Sequence, residues 1–210
     1  MRLLSLVAWL ALACWLPPAA GATPGDPAER LERALGSLDS VRADFTQDLI
    51  AADGATTEHA VGVLYLRKPG RFRWDYSAPR QLIVCDGEKL WLYDPDLEQA
   101  TVRRVRDSLS QTPAMLLSGQ ARVRDGFAVR DAGRAAGLDW IALTPKSGDT
   151  DFREIRLGFA GETLRRLEFA DKLNQRTVIE LGRIERNAKL ADALFTFTPP
   201  AGVDVIGAGH

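Results

Sequence analysis

The chain has 210 residues, enough for one domain with a real hydrophobic core and not so many that a second is required. Its 27 Lys and Arg are balanced by 28 Asp and Glu, a formal charge of -1. A balance so close to neutrality lacks the basic footprint of a nucleic-acid binder, and no acidic tail is present.

The first 22 residues read as a secretory signal peptide: Arg2 supplies the positive end, Leu3 to Leu16 the apolar run, and Pro17 and Pro18 break it before Ala20-Gly21-Ala22. Cleavage after Ala22 would leave residues 23–210 as a single exported domain. The apolar run is 14 residues long, short of the roughly 20 needed to span a bilayer. A competing reading lipidates Cys14, but Ala11 stands where a lipobox wants Leu, and Trp15-Leu16 continue the apolar run past it. Loss of the signal leaves Cys85 as the lone thiol, so the exported domain has no internal disulfide and must hold itself together by burial. Cys85 lies in Leu82-Ile83-Val84-Cys85, the setting of an inert buried thiol.

In chain order, Asp26, Pro27 and Glu29 signal a helix start, and Leu31, Leu35 and Leu38 give that helix an apolar stripe. From Val41 onward, short alternating runs predict successive antiparallel strands: Ala43–Ile50, Ala60–Arg67, Arg71–Ser77, Gln81–Cys85, Lys89–Tyr93 and Gln99–Val105. Later strands are expected at Phe127–Asp131, Trp140–Thr144, Glu154–Phe159, Leu164–Asp171, Arg176–Ile184 and Leu194–Thr198. Asp53-Gly54, Asp86-Gly87 and Ala160-Gly161-Glu162 are the natural tight turns. One segment interrupts the series: Thr112, Pro113 and Gly119 bracket a short helix whose Met115, Leu116 and Leu117 require other apolar surface to lie against.

No catalytic constellation is visible. His59 and His210 are isolated, and the patterns of a serine nucleophile elbow, a zinc protease helix, a Cys-x-x-Cys pair and a phosphate-binding loop are all missing. Asp86, Asp94 and Asp96 read as turn formers rather than an acid and base pair. What stands out is Arg71-Phe72-Arg73-Trp74-Asp75-Tyr76, strict alternation that puts three aromatics on one face of a strand. The next two strands are apolar on both faces, at Leu82 to Cys85 and Leu90 to Tyr93, so both faces should be covered. Pattern alone fits either a filled β-sandwich or small barrel, or a curved sheet whose concave aromatic face takes a ligand under short helices.

The residues themselves resemble a known family. Asp44-Phe45-Thr46-Gln47, the stretch from Leu64 through Tyr76, Asp86-Gly87-Glu88-Lys89-Leu90-Trp91-Leu92-Tyr93, Glu98-Gln99-Ala100-Thr101, Thr112 to Leu117, Leu143-Thr144-Pro145-Lys146 and Phe195-Thr196-Phe197-Thr198-Pro199-Pro200 occur in the order seen in the outer-membrane lipoprotein carriers, LolA. The resemblance implies a mainly β fold: an incomplete, open antiparallel β-barrel with short helices forming a lid over an apolar concave face. It implies a periplasmic, monomeric carrier without enzymatic activity or cofactor. Such a carrier would take lipoproteins from an inner-membrane ABC transporter, LolCDE, shield their acyl chains, and pass them to an outer-membrane acceptor, LolB. On this resemblance Phe72 and Trp74 line the cavity, with Met115, Leu116 and Leu117 on the lid. The family's basic residue before a turn proline, which clamps the lid, corresponds to Lys68 before Pro69, with Arg67 able to share the role. Lys offers a single ammonium where Arg offers a planar fork, so the exchange is not neutral for a clamp. Two other readings share the fold: a lipid-anchored acceptor of the LolB kind, which needs Cys14 lipidated, and a regulatory sensor like RseB, whose chains carry a further C-terminal domain.

Overall fold

The computed structural model describes residues 25–105, 123–148 and 150–207. The expected signal peptide, residues 1–22, and the expected helix carrying Met115, Leu116 and Leu117 lie outside the described residues.

The first helix, α1 (Pro27–Gly36), begins as its sequence dictates. The Ala28 amide donates to Asp26 Oδ1 at 2.9 Å, Pro27 occupies the first turn, and Leu31 and Leu35 are buried. That amide bond, aided by Arg124, holds the Asp26 carboxyl below its usual range. Then come β1 (Ser40–Ile50), β2 (Thr56–Arg67), β3 (Arg71–Ala78), β4 (Arg80–Asp86), β5 (Lys89–Asp94) and β6 (Gln99–Arg104). A helical turn, α2 (Val123–Gly126), leads into β7 (Phe127–Ala135), β8 (Leu138–Pro145), β9 (Phe152–Ala160), β10 (Thr163–Asp171) and β11 (Arg176–Arg186), and β12 (Asp204–Ile206) ends the series.

These twelve strands form one sheet in the order β12-β6-β5-β4-β3-β2-β1-β11-β10-β9-β8-β7. The order leaves β12 and β7 at opposite ends, so the sheet is open, as the resemblance implies. All pairings are antiparallel except β12 with β6, which is parallel. The three expected turns are present, with Gly54, Gly87 and Gly161 at φ of 90°, 105° and 60°, a region that a side chain disfavours.

One expectation is overturned. Leu194–Thr198 is not a strand: Asp192–Phe195 is a 3-10 turn, and the chain continues extended but unpaired to Pro200. The alternating Phe195 and Phe197 press onto the outside of the sheet instead of entering it. The Phe197 ring lies 5.5 Å from Trp91 and 5.2 Å from Tyr93, and Phe195 is fully buried. Pro199 and Pro200 carry no amide hydrogen and could not have supplied a ladder. The short strand β12 was not foreseen.

Candidate functional site: the concave apolar face

Register fixes which side chains share the inner face. Phe72 lies opposite Leu66 and Cys85, Trp74 opposite Leu64 and Ile83, and across β1 Phe45 lies opposite Gly62 and Leu181. All of these except Ile83 and Gly62 belong to one buried apolar cluster, which runs on through Leu167, Leu157 and Leu143 of β10, β9 and β8 and includes Leu31 and Leu35 of α1. Ile83 packs against it from the rim. The sheet thus curls around α1. The helix is tied to the far end of the sheet by Arg30 to Asp131 of β7, at 2.8 Å, and Asp26 is tied to Arg124 of α2, at 2.7 Å.

At the centre stands an aromatic group. Phe45 meets Trp74 edge-on at 4.8 Å and Tyr76 at 5.0 Å, geometry that aromatic pairs favour. Gly62 makes room for it, since a Cβ there would sit 2.8 Å from the Phe45 ring and 2.2 Å from the Asp75 carbonyl oxygen. The Tyr76 hydroxyl donates to Gln47 Oε1 at 3.1 Å, and burial pushes its pKa up to about 12. Cys85 donates its thiol hydrogen to the Gly70 carbonyl, and burial pushes the thiol up to about 11, so it stays protonated and inert at neutral pH.

Phe72 and Trp74 therefore lie together on the concave face, but that face is occupied. Trp74 is only 3% exposed and Phe72 not at all. The void left beside α1 is about 40 Å³, bordered by Leu35, Leu38, Leu66, Leu164, Leu181 and Ile184, against roughly 300–1,000 Å³ for a small-molecule site. A larger concavity of about 480 Å³ opens on the other face beside Trp140. Its floor is Arg156, Arg166, Glu168 and Glu180, charged groups already paired with one another, which does not suit a hydrocarbon chain.

Lys68 and Arg67 turn to opposite sides. Lys68 reaches inward, its Nζ donating to the Leu35 carbonyl at the end of α1 and its amide to Asp39 O at 2.8 Å. That carbonyl also accepts from the Leu38 amide at 3.2 Å, so Lys68 adds a charged donor to it. Burial pushes the Lys68 ammonium below its usual 10.5, against the attraction of Asp39. Arg67 faces outward instead. It donates to Leu190 O at 3.0 Å and to Asp192, and lies 4.7 Å over the Phe195 ring. The participation of α1 itself was missed by sequence reasoning, although Leu31, Leu35 and Leu38 were its visible signal.

The family pattern described as outer membrane lipoprotein carrier protein LolA matches residues 36–198. The chain belongs to the LolA family. An outer-membrane lipoprotein carrier protein of Dechloromonas aromatica is 42% identical over 180 residues, covering 85% of this chain and 86% of that protein. One of Methylococcus capsulatus is 41% identical over 197 residues, covering 93% and 94%. Among solved structures, an uncharacterized conserved protein from Thermus thermophilus shares the fold with a TM-score of 0.54 at 15% identity, covering 85% of this chain and 94% of that one. For this LolA family member, the turn before Pro69 and the first helix are joined by the Lys68 bond to Leu35.

Proposed function

We propose that the protein is a periplasmic carrier that receives lipoproteins released from the inner membrane, shields their acyl chains on its concave face and delivers them to an outer-membrane acceptor. The observation that carries this reading is the continuous apolar inner face, closed by the first helix and the Lys68 bond to its end. Its relatives' name, lipoprotein carrier, supplies the cargo class. The partners are an inner-membrane ABC transporter of the LolCDE type and an acceptor of the LolB type, and the protein works as a monomer exported by cleavage after Ala22. Carriage is binding and release, with no bond made or broken and no cofactor.

Magnitudes support a switch between filled and loaded states. An acyl chain of some fifteen carbons gains about 12 kcal/mol on leaving water. Burial of Leu31 and Leu35 stabilises the closed form by about 3–6 kcal/mol together. One chain thus outweighs the apolar contacts of the helix it displaces. In the closed form Lys68 is the clamp on α1, and Met115, Leu116 and Leu117 complete the lid. Arg67 supports the same turn from outside. The test is to isolate the protein from the periplasm. Lipoproteins should copurify with it and leave when acceptor is added; a preparation free of lipoprotein under conditions of active export would refute the reading.

A further inference from the structure

The turn that carries Lys68 is held from the outside as well as the inside. Arg67 and Arg71 are direct cross-strand partners at the mouth of the β2–β3 hairpin, and both side chains lie on the convex face. Two guanidinium groups directly opposite one another repel, which would splay the hairpin where it closes. Asp192 lies between them. Its Oδ1 accepts from Arg67 Nη2 and, at 3.4 Å, from Arg71 Nη1. Beneath the same turn the Cys85 thiol donates to Gly70 O at 3.2 Å.

We propose that Asp192 is a positioning residue for the Lys68 clamp: by neutralising the opposed Arg67 and Arg71 it fixes the Lys68-Pro69-Gly70 turn so that Lys68 Nζ meets the Leu35 carbonyl. The proposal rests on the reading of Lys68 as a clamp. A lysine ammonium rides on a flexible four-carbon stem, so a lone bond from it depends on where the backbone holds the stem's root. Asp192 sets that root from the far side of the sheet, through Arg67 and Arg71. The C-terminal segment is in this way linked to the opening of the concave face.

The experiment uses the mature protein, with Cys85 as a built-in reporter of the turn and anilinonaphthalene sulfonate as the probe of the apolar face. Asp192→Asn should raise both the Cys85 alkylation rate and the dye affinity about two- to fivefold, the range open to an exposed charge cluster, with the unfolding midpoint unchanged. Asp192→Glu should behave as the parent. Adding Arg71→Gln to Asp192→Asn should restore slow alkylation, because the repulsion is gone. In a Lys68→Leu background, Asp192→Asn should add nothing to dye affinity. If Lys68→Leu raises dye affinity but Asp192→Asn changes nothing, or the two effects multiply, Asp192 does not act through the clamp and the proposal falls while the clamp stands. Failure of Arg71→Gln to rescue would also overturn it. If Lys68→Leu itself leaves dye affinity unchanged, the clamp reading falls and takes the proposal with it.

Discussion

Strands β3 to β5 are covered on both faces, by the apolar cluster with α1 inside and by Phe195 and Phe197 outside, whereas the outer face of β8 to β11 is covered by its own side chains, with Trp140, Ala142, Glu168 and Val178 buried beneath a layer of charge. The outer face of the second group is a ladder of charge. Arg130 bonds Glu154 at 2.6 Å, Arg166 bonds Glu168 at 2.9 Å and Glu180 at 2.7 Å, and Arg156 lies 4.8 Å over the Trp140 ring. The difference teaches where this fold spends rigidity. The half that bears Lys68 is braced from outside, so its inner lining can part from α1 without the strands themselves coming apart. The other half is packed within and screened outside by its own charged side chains, under which Trp140 and Glu168 lie buried.

Deleting an inner side chain in the braced half gives the largest expected effect. Phe72→Ala should lower unfolding free energy by about 3–5 kcal/mol in denaturant titration. Trp74→Glu should be worse still, leaving a carboxylate among Phe45, Tyr76 and Leu64. A loss under 1 kcal/mol for Phe72→Ala would mean that the inner face is not a packed core. Next comes the brace itself. Phe195→Ala should cost about 3 kcal/mol and speed amide exchange in β3 and β4; exchange that rises equally in β9 and β10 would break the distinction between the halves.

The sequence made much of this contrast legible. Leu82 to Cys85 and Leu90 to Tyr93 are apolar at every position and so demand cover on both sides. It did not show which segment gives the cover. Phe195 and Phe197 alternate alike in a strand and in an unpaired strap, and only the hydrogen-bond ladder separates the two. Phe72 and Trp74 were legible as inner residues. Whether that face is empty or filled was not, because filling depends on where α1 docks, a contact between distant parts of the chain. The same holds for Lys68, whose partner is a backbone carbonyl 33 residues away that no side-chain pattern announces.

A smaller effect is expected from pH. The Cys85 thiol ionises near 9 when unfolded and at about 11 when folded, so below pH 9 it contributes nothing to the pH dependence. Between those values the unfolded chain loses the proton and the folded one keeps it, so stability falls by at most about 1.4 kcal/mol per pH unit. Cys85→Ala should remove that part of the slope in unfolding titrations from pH 8 to 11, and an unchanged slope would place the thiol in water. The smallest effect belongs to the exposed rim of the second half. Arg130→Ala should cost about 1 kcal/mol or less and vanish in high salt; a larger, salt-insensitive loss would show that the ladder is structural and the two halves less different than argued.

The central claim is that the concave face is closed by its own first helix and opens by releasing it. Hydrogen exchange on the purified protein, empty and loaded with a triacylated lipoprotein, tests it directly. The account predicts that loading speeds exchange in Ala28 to Gly36 while the amides of β1, β2 and β11 stay protected. Unchanged or slower exchange in α1 on loading would contradict it, because the cargo would then be bound without displacing the helix.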